Sequence, residues 1–169
     1  MDGASPDVRI SRARASEETL LGNLLELYVH DFSELVPCAI GEDGRFGFPA
    51  LAEYGRDPRR IPFLIRADGG PAGFALVDRG SKLSDDPDVT DMAQFFVLRG
   101  WRRRGVGRIA AHAVFRAFPG PWEVRVLEAN VGALPFWERT IGGLAGNEIS
   151  RARSARPDGS FWQVFRFAS

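Results

Sequence analysis

This chain predicts an α/β fold built on a mixed, mostly antiparallel sheet, and three observations carry that prediction. Short runs rich in β-branched and aromatic residues recur from Val8 to Phe167, bounded by Gly, Pro and Asp. Two of the boundaries, Asp68-Gly69-Gly70 and Pro157-Asp158-Gly159, are hairpin signals. Between the strand runs lie stretches whose apolar residues recur with helical period. Strands at both ends with helices inserted between them describe a sheet flanked by helices.

In chain order, residues 1–7 read as a short tail. Val8-Arg9-Ile10 is a candidate edge strand. Ser16 with Glu17-Glu18 starts a helix, the acids lying at the positive end of its dipole. Leu20, Leu21, Leu24, Leu25, Leu27 and Tyr28 then form an apolar stripe running to about Phe32. Residues 33–60 are broken by Pro37, Gly41, Gly44, Gly47, Pro49, Gly55 and Pro58, with a short helix expected around Ala50 to Tyr54. Phe63 to Arg66 and Gly73 to Val77 are the arms of a hairpin. Gly80 to Asp88 is a polar loop, and Met92 to Leu98 a central strand buried on both faces. A helix over 106–118 stops before Pro119-Gly120-Pro121. Trp122 to Leu127 is a strand, and Asn130 to Thr140 a helix ended by Gly142-Gly143. Glu148 to Arg153 and Phe161 to Phe167 form the last hairpin. Residues 8–169 are expected to make one domain.

Composition narrows the function classes. Lys+Arg and Asp+Glu both number 22, so net charge is zero and the chain as a whole shows no bias toward nucleic acid. Lys82 is the only lysine. One cysteine, Cys38, rules out an intrachain disulfide and suits a reducing, cytoplasmic setting. No apolar run has the length of a membrane span, and Met1 to Asp7 lacks a signal-peptide core. No metal-ligand spacing stands out: the acidic loop Asp85-Asp86-Asp88 has no histidine beside it. Exposed edges and aromatic C-terminal strands leave room for a homodimer.

The most informative stretch is Arg102-Arg103-Arg104-Gly105-Val106-Gly107-Arg108, between the apolar run Phe95 to Leu98 and the helix beginning at about Val106. A strand, a glycine-bearing turn and a helix N-terminus together present several backbone N–H groups to an anion. The glycines admit turn geometries that a side chain blocks. Four arginines add attraction for a polyanion. A phosphate-bearing ligand is the expectation.

The order of elements and this turn together resemble the GNAT superfamily of acyl-CoA-dependent N-acetyltransferases, whose signature is Arg/Gln-x-x-Gly-x-Gly/Ala. Arg102, Gly105 and Gly107 match it, Val97 lies five residues before the arginine, and Trp101 occupies a usual aromatic position. Asn130-x-x-Ala133-x-x-Phe136 resembles the family's downstream Asn-x-x-Ala-x-x-Phe-Tyr. The resemblance spans roughly residues 8–167. It implies acetyl-CoA as acetyl donor and an amine of a small molecule or peptide as acceptor, with direct transfer in a ternary complex. The backbone of Arg103, Arg104, Gly105, Val106, Gly107 and Arg108 would hold the pyrophosphate. Phe96, Val97 and Leu98 would pair with the pantetheine arm like an added strand, which requires a splayed strand, often made by a bulge. Asn130 and Phe136 would line the thioester end.

Two residues depart from the family pattern. Arg99 stands where a proline is common, and Trp137 replaces the tyrosine credited with protonating the departing thiolate; an indole N–H is no practical acid. Acetyl transfer also needs a neutral amine, which at pH 7 is roughly one part in a few thousand of an alkylamine of pKa about 10.4. A strand N–H near Val97 is the expected oxyanion donor. Asp91, six residues before Val97, matches the place of a glutamate in histone-type members and is the candidate base; Gln94, where others carry a carboxylate, cannot accept a proton. His30 is read as complementing a helix C-terminus, His112 as structural, and Cys38 as inert. The alternative is a non-catalytic acyl-CoA sensor that keeps the groove without turnover.

Overall fold

The computed structural model describes residues 5–145 and 148–169. Among them, seven strands form one sheet of order β1-β2-β3-β4-β5-β7-β6: β1 (Val8–Arg12), β2 (Arg60–Ala67), β3 (Gly70–Arg79), β4 (Thr90–Val97), β5 (Pro121–Leu127), β6 (Ser150–Ala155) and β7 (Phe161–Ala168). The helices are α1 (Glu18–Phe32), α2 (Val106–Ala117) and α3 (Ala133–Ala145). All neighbouring strands run antiparallel except β4 and β5.

Local chemistry explains the joints. Asp68 (φ 50°) and Gly69 (φ 81°) both adopt positive φ between Ala67 and Gly70, the two-residue turn that matches the twist of β2 and β3. A single 3₁₀ turn, Ala15–Glu17, precedes α1, and the Glu17 carboxylate accepts the Arg14 N–H at 3.0 Å. The short helix expected near Tyr54 is a 3₁₀ segment, Pro49–Gly55. The irregular stretch before it is tied to α1 by Glu26, whose carboxylate accepts the N–H groups of Phe46 (2.7 Å) and Gly47 (2.9 Å).

Three expectations need correction. Asp7, assigned to the tail, is fastened to the β2–β3 turn: its N–H donates to Asp68 Oδ1 at 2.9 Å, and its carbonyl accepts from Asp68 N–H at 3.0 Å; residues 1–4 lie outside the described residues. The last helix begins at Ala133 rather than Asn130 and continues through Gly142-Gly143 to Ala145. Burial against the sheet outweighs the poor helix propensity of two glycines, with Ile141 fully buried beside them. Strand β4 is central, but Ala93, Gln94 and Phe95 are only half-buried.

The sheet separates two apolar layers. On one face, Val77, Met92, Trp122, Val124 and Phe165 pack against Ala111, Val114 and Phe115 of α2 and Trp137 and Ile141 of α3. On the other, Leu64, Phe74, Leu76 and Phe96 pack against Leu21, Leu24 and Leu25 of α1 and against Tyr54. His112 joins α2 to α3 through a 2.7 Å contact from Nε2 to the Thr140 carbonyl, consistent with a structural reading.

Candidate functional site

Strands β4 and β5 pair only at Thr90↔Trp122 and Asp91↔Glu123. Beyond Asp91 they diverge, so β4 from Met92 to Val97 keeps β3 as its only strand partner. A bulge sets which backbone groups face the gap. Leu76 pairs with Gln94 and Val77 with Met92, leaving Ala93 as the extra residue. After it, the Leu98 N–H donates to the Ala72 carbonyl at 2.8 Å. Alternation then turns the amide groups of Phe96 and Leu98 toward β3 and those of Phe95 and Val97 toward the gap. This corrects the expectation for the pantetheine arm: of Phe96, Val97 and Leu98, only Val97 offers backbone to the gap. Phe95, which sequence reasoning missed, is the second. The bulge reverses the parity, and a bulge leaves no mark in an apolar run.

At the mouth of the gap, Val97 leads through Trp101 into the glycine turn. Arg103 (φ 59°) and Gly105 (φ 83°) are left-handed, and α2 starts at Val106. The first helical hydrogen bond is Ile109 N–H to Gly105 O, 3.1 Å. Among the described residues, no backbone N–H from Arg103 to Arg108 donates to a protein acceptor. Six consecutive uncommitted donors at a helix N-terminus form an anion cradle. Gly107 also lets the turn close: a Cβ there would stand 3.1 and 3.2 Å from the Phe136 ring and 3.5 Å from Val97 Cγ2.

The arginine side chains divide their work. Arg102 donates from Nε to the Val97 carbonyl (2.7 Å) and from a terminal nitrogen to Asp31 (2.6 Å). Arg99 holds the same carboxylate at 2.8 and 3.1 Å. Asp31 is at the end of α1, so this cluster bolts the helix to the turn. The Arg99 and Arg102 hydrogen bonds hold the Asp31 carboxyl below its usual range against its partial desolvation. Arg104 stacks over Trp101 at 4.5 Å.

A cleft of roughly 480 Å³ follows the gap from the turn to α3. Of the expected site residues, Phe96, Val97, Arg102, Arg103, Gly107, Asn130 and Phe136 line it, and Tyr28, Asp31, Phe32 and Leu35 of the α1 end close its other side. Leu98, Arg104, Gly105, Val106 and Arg108 do not line it, although the last four belong to the turn at its mouth. Asn130 caps α3, its Oδ1 accepting the Ala133 N–H at 3.3 Å. Phe136 stacks on Phe95 (6.0 Å between centroids), and Trp137 packs edge-on against Phe95 (5.2 Å). Tyr28 donates its hydroxyl hydrogen bond to Gln94 Oε1. Burial, with Cys38 nearby, pushes the Tyr28 phenol up, so it stays protonated.

Asp91 sits elsewhere. It is fully buried at the closed end of the gap, roughly 20 Å along the strand from Val97, and does not line the cleft. Arg125 holds it through two hydrogen bonds, 3.1 and 2.8 Å. Burial raises its carboxyl while Arg125 pulls the other way. It belongs to a charged row across five strands, Arg60, Asp78, Asp91, Glu123 and Arg166 in register. Each buried carboxylate there has its own partners: Lys82 (2.9 Å) and Tyr54 (2.7 Å) for Asp78, and Arg166 (3.1 Å) and Ser81 (3.2 Å) for Glu123. The expectation of a general base at Asp91 is withdrawn, because a carboxylate enclosed by its own guanidinium has no path to an amine in the cleft.

A parallel strand pair that splays beside a helix with bare N-terminal amides suits an extended ligand that carries a phosphate at one end. Residues 23–142 match the Acetyltransferase (GNAT) family, and the chain belongs to that family. Uncharacterized N-acetyltransferases of Mycobacterium bovis and Mycobacterium tuberculosis are 32% identical to it over 95 residues, 56% of this chain and 51% of each relative. The chain therefore spans about half the length of the curated relatives it matches. Among solved structures, an acetyltransferase from Thermus thermophilus superimposes with TM-score 0.69 at 15% identity, covering 96% of this chain and 97% of that one. A putative acetyltransferase from Salmonella typhimurium, solved with acetyl-CoA, gives 0.65 at 10% identity, over 95% and 93%. The ribosomal-protein-S18-alanine N-acetyltransferase of Escherichia coli gives 0.60 at 15%, also over 95% and 93%. At these identities the likeness is one of fold. Among the described residues, no helix is long and apolar enough to cross a membrane.

Proposed function

We propose that this chain transfers the acetyl group of acetyl-CoA to a primary amine of a small molecule or peptide, by direct attack with both substrates bound. The observation that carries the reading is the run of six uncommitted backbone donors, residues 103–108, at the mouth of a strand gap. The pyrophosphate of the cosubstrate fits the turn. The gap-facing amide groups of Phe95 and Val97 suit its pantetheine arm, and an N–H of this pair supplies the oxyanion donor. Asn130, Phe136 and Trp137 line the thioester end of the cleft.

The amine lone pair forms the new C–N bond at the thioester carbonyl, the C–S bond breaks, and its electron pair leaves on sulfur. The nitrogen releases one proton and the thiolate takes one up, both through solvent. The carboxylates bordering the cleft are Asp31, held by two arginines, and Glu34 on its exposed rim. Among the described residues no carboxylate lines the thioester end, so the amine is deprotonated before it reacts, and kcat/KM rises tenfold per pH unit toward the amine's own pKa. A thiolate is a tolerable leaving group near its thiol pKa of about 8.5, which accommodates Trp137 in place of a phenolic acid.

The test is coenzyme A thiol release with a panel of amines, alongside calorimetric binding of acetyl-CoA. Release that depends on amine supports the reading; tight binding without turnover on any amine replaces it with the sensor. The single cysteine suits a cytoplasmic protein, and a homodimer through the outer strands is checked by light scattering.

A further inference from the structure

The walls of the cleft opposite the phosphate turn suit a particular kind of amine. On the α1 side of the cleft, across from the gap-facing backbone of Phe95, the surface is Tyr28, Phe32 and Leu35. The Tyr28 ring packs edge-on against Phe74 (5.7 Å) and Phe96 (5.9 Å) and tilts on Phe32 (5.5 Å), which fixes its hydroxyl beside Gln94. With its proton on Gln94 Oε1, the hydroxyl oxygen keeps its lone pairs for an incoming N–H.

The charges around the cleft are as informative as its apolar wall. Three arginines border it, Arg99, Arg102 and Arg103, against two carboxylates, Asp31 and Glu34. Asp31 is saturated by Arg99 and Arg102. Recognition of a second ammonium group needs an uncommitted carboxylate well inside the cleft, and Glu34 lies on its exposed rim.

Resting on the acetyl-transfer reading, we propose that the acceptor is a small monoamine with an aromatic or apolar body. The body lies on Phe32 and Leu35, and the amine N–H donates to Tyr28 Oη. Tyr28 then contacts the substrate and orients the nitrogen toward the gap-facing backbone of Phe95. A polyamine or polycationic acceptor gains nothing from this wall, because Asp31 is already paired with Arg99 and Arg102 and Glu34 lies on the exposed rim.

The experiment compares phenethylamine, spermidine and an uncharged-body aliphatic control, hexylamine, as acceptors for the full chain, read by thiol release. Phenethylamine and hexylamine are expected to exceed spermidine in kcat/KM by at least about tenfold. Tyr28→Phe, which keeps the ring contacts, is expected to lower kcat/KM for phenethylamine by about 10- to 100-fold. Its acetyl-CoA dissociation constant should stay at the parental value, and its melting temperature should fall by only a few degrees, about the loss of the single hydrogen bond to Gln94. Spermidine ahead of both monoamines, or a Tyr28→Phe variant with parental rates, overturns the proposal while acetyl transfer stands. Acetyl-CoA bound with no amine consumed overturns the transfer reading beneath it.

Discussion

Replacing Asp91 with Asn separates a structural carboxylate from a catalytic one. The substitution preserves shape and removes the charge that Arg125 faces. Asp91 is fully buried and the Arg125 side chain is 17% exposed, so solvent cannot take over the lost interaction. Breaking a buried pair by removing one partner typically costs about 3–5 kcal/mol. Glu123 and Asp78 lie in the neighbouring registers and soften the cost toward the lower end. For a domain of this size, about 1 kcal/mol moves the melting temperature by about 2–4 °C, giving a drop of roughly 6–20 °C. Thermal and urea unfolding of Asp91→Asn measure it, and the double change Asp91→Leu with Arg125→Met should recover most of the loss, since an apolar pair leaves no orphaned charge. On the acetyl-transfer proposal, the folded Asp91→Asn variant should keep parental kcat for any amine that is turned over. A variant of unchanged stability whose kcat falls at least a hundredfold would refute this and return Asp91 to the mechanism.

Gly105→Val forces a β-branched residue into a left-handed conformation (φ 83°), costing about 1–2 kcal/mol of stability and turning the adjacent donors out of line; acetyl-CoA affinity measured by calorimetry should fall at least about tenfold. Gly73→Ala would drive a Cβ into the Phe96 carbonyl oxygen, 3.1 Å from Val97 Cα. Since backbone rather than a side chain is in the way, β4 must shift, and both melting temperature and acetyl-CoA affinity should drop together, with about 1–3 kcal/mol of destabilisation. Glu17 is held down to about 2 by hydrogen bonds from the Arg14 side chain and backbone and from Arg66. A carboxyl lowered in the folded state stabilises above its unfolded pKa of about 4.3 and loses that contribution as pH falls toward 2. Glu17→Gln should therefore melt below the parent at pH 7, with the gap closing between about pH 4.3 and 2; a constant gap across that window would show that the carboxylate's charge is not the cause.

Much of the donor side was legible in residue order. The strand run ending at Val97, glycines at 105 and 107 and a helical stripe after them describe local structure, and local structure is what short-range spacing encodes. Asp68-Gly69 likewise announced its turn, because only residues tolerant of positive φ suit both positions. The errors share a cause of another kind. Gly142-Gly143 should end a helix, yet packing of Ile141 against the sheet carries α3 through them. Ala93 is inconspicuous as a letter, yet as a bulge it decides that Phe95 and Val97, rather than Phe96 and Leu98, turn their amides to the gap.

Residue order alone lays down the cradle: six amides in succession need only their neighbours to line up. Which groups face that cradle is settled by packing across the molecule. Asp91 and Arg125 are 34 residues apart, Tyr28 and Gln94 66, and Asp31 and Arg99 68. Pairing across the sheet enclosed the carboxylate that the family resemblance had marked as a base, and packing of α1 brought in a tyrosine that no motif marked. Charge neutralisation and burial act through space, so the side of the cleft facing the cradle exists only once the chain has folded.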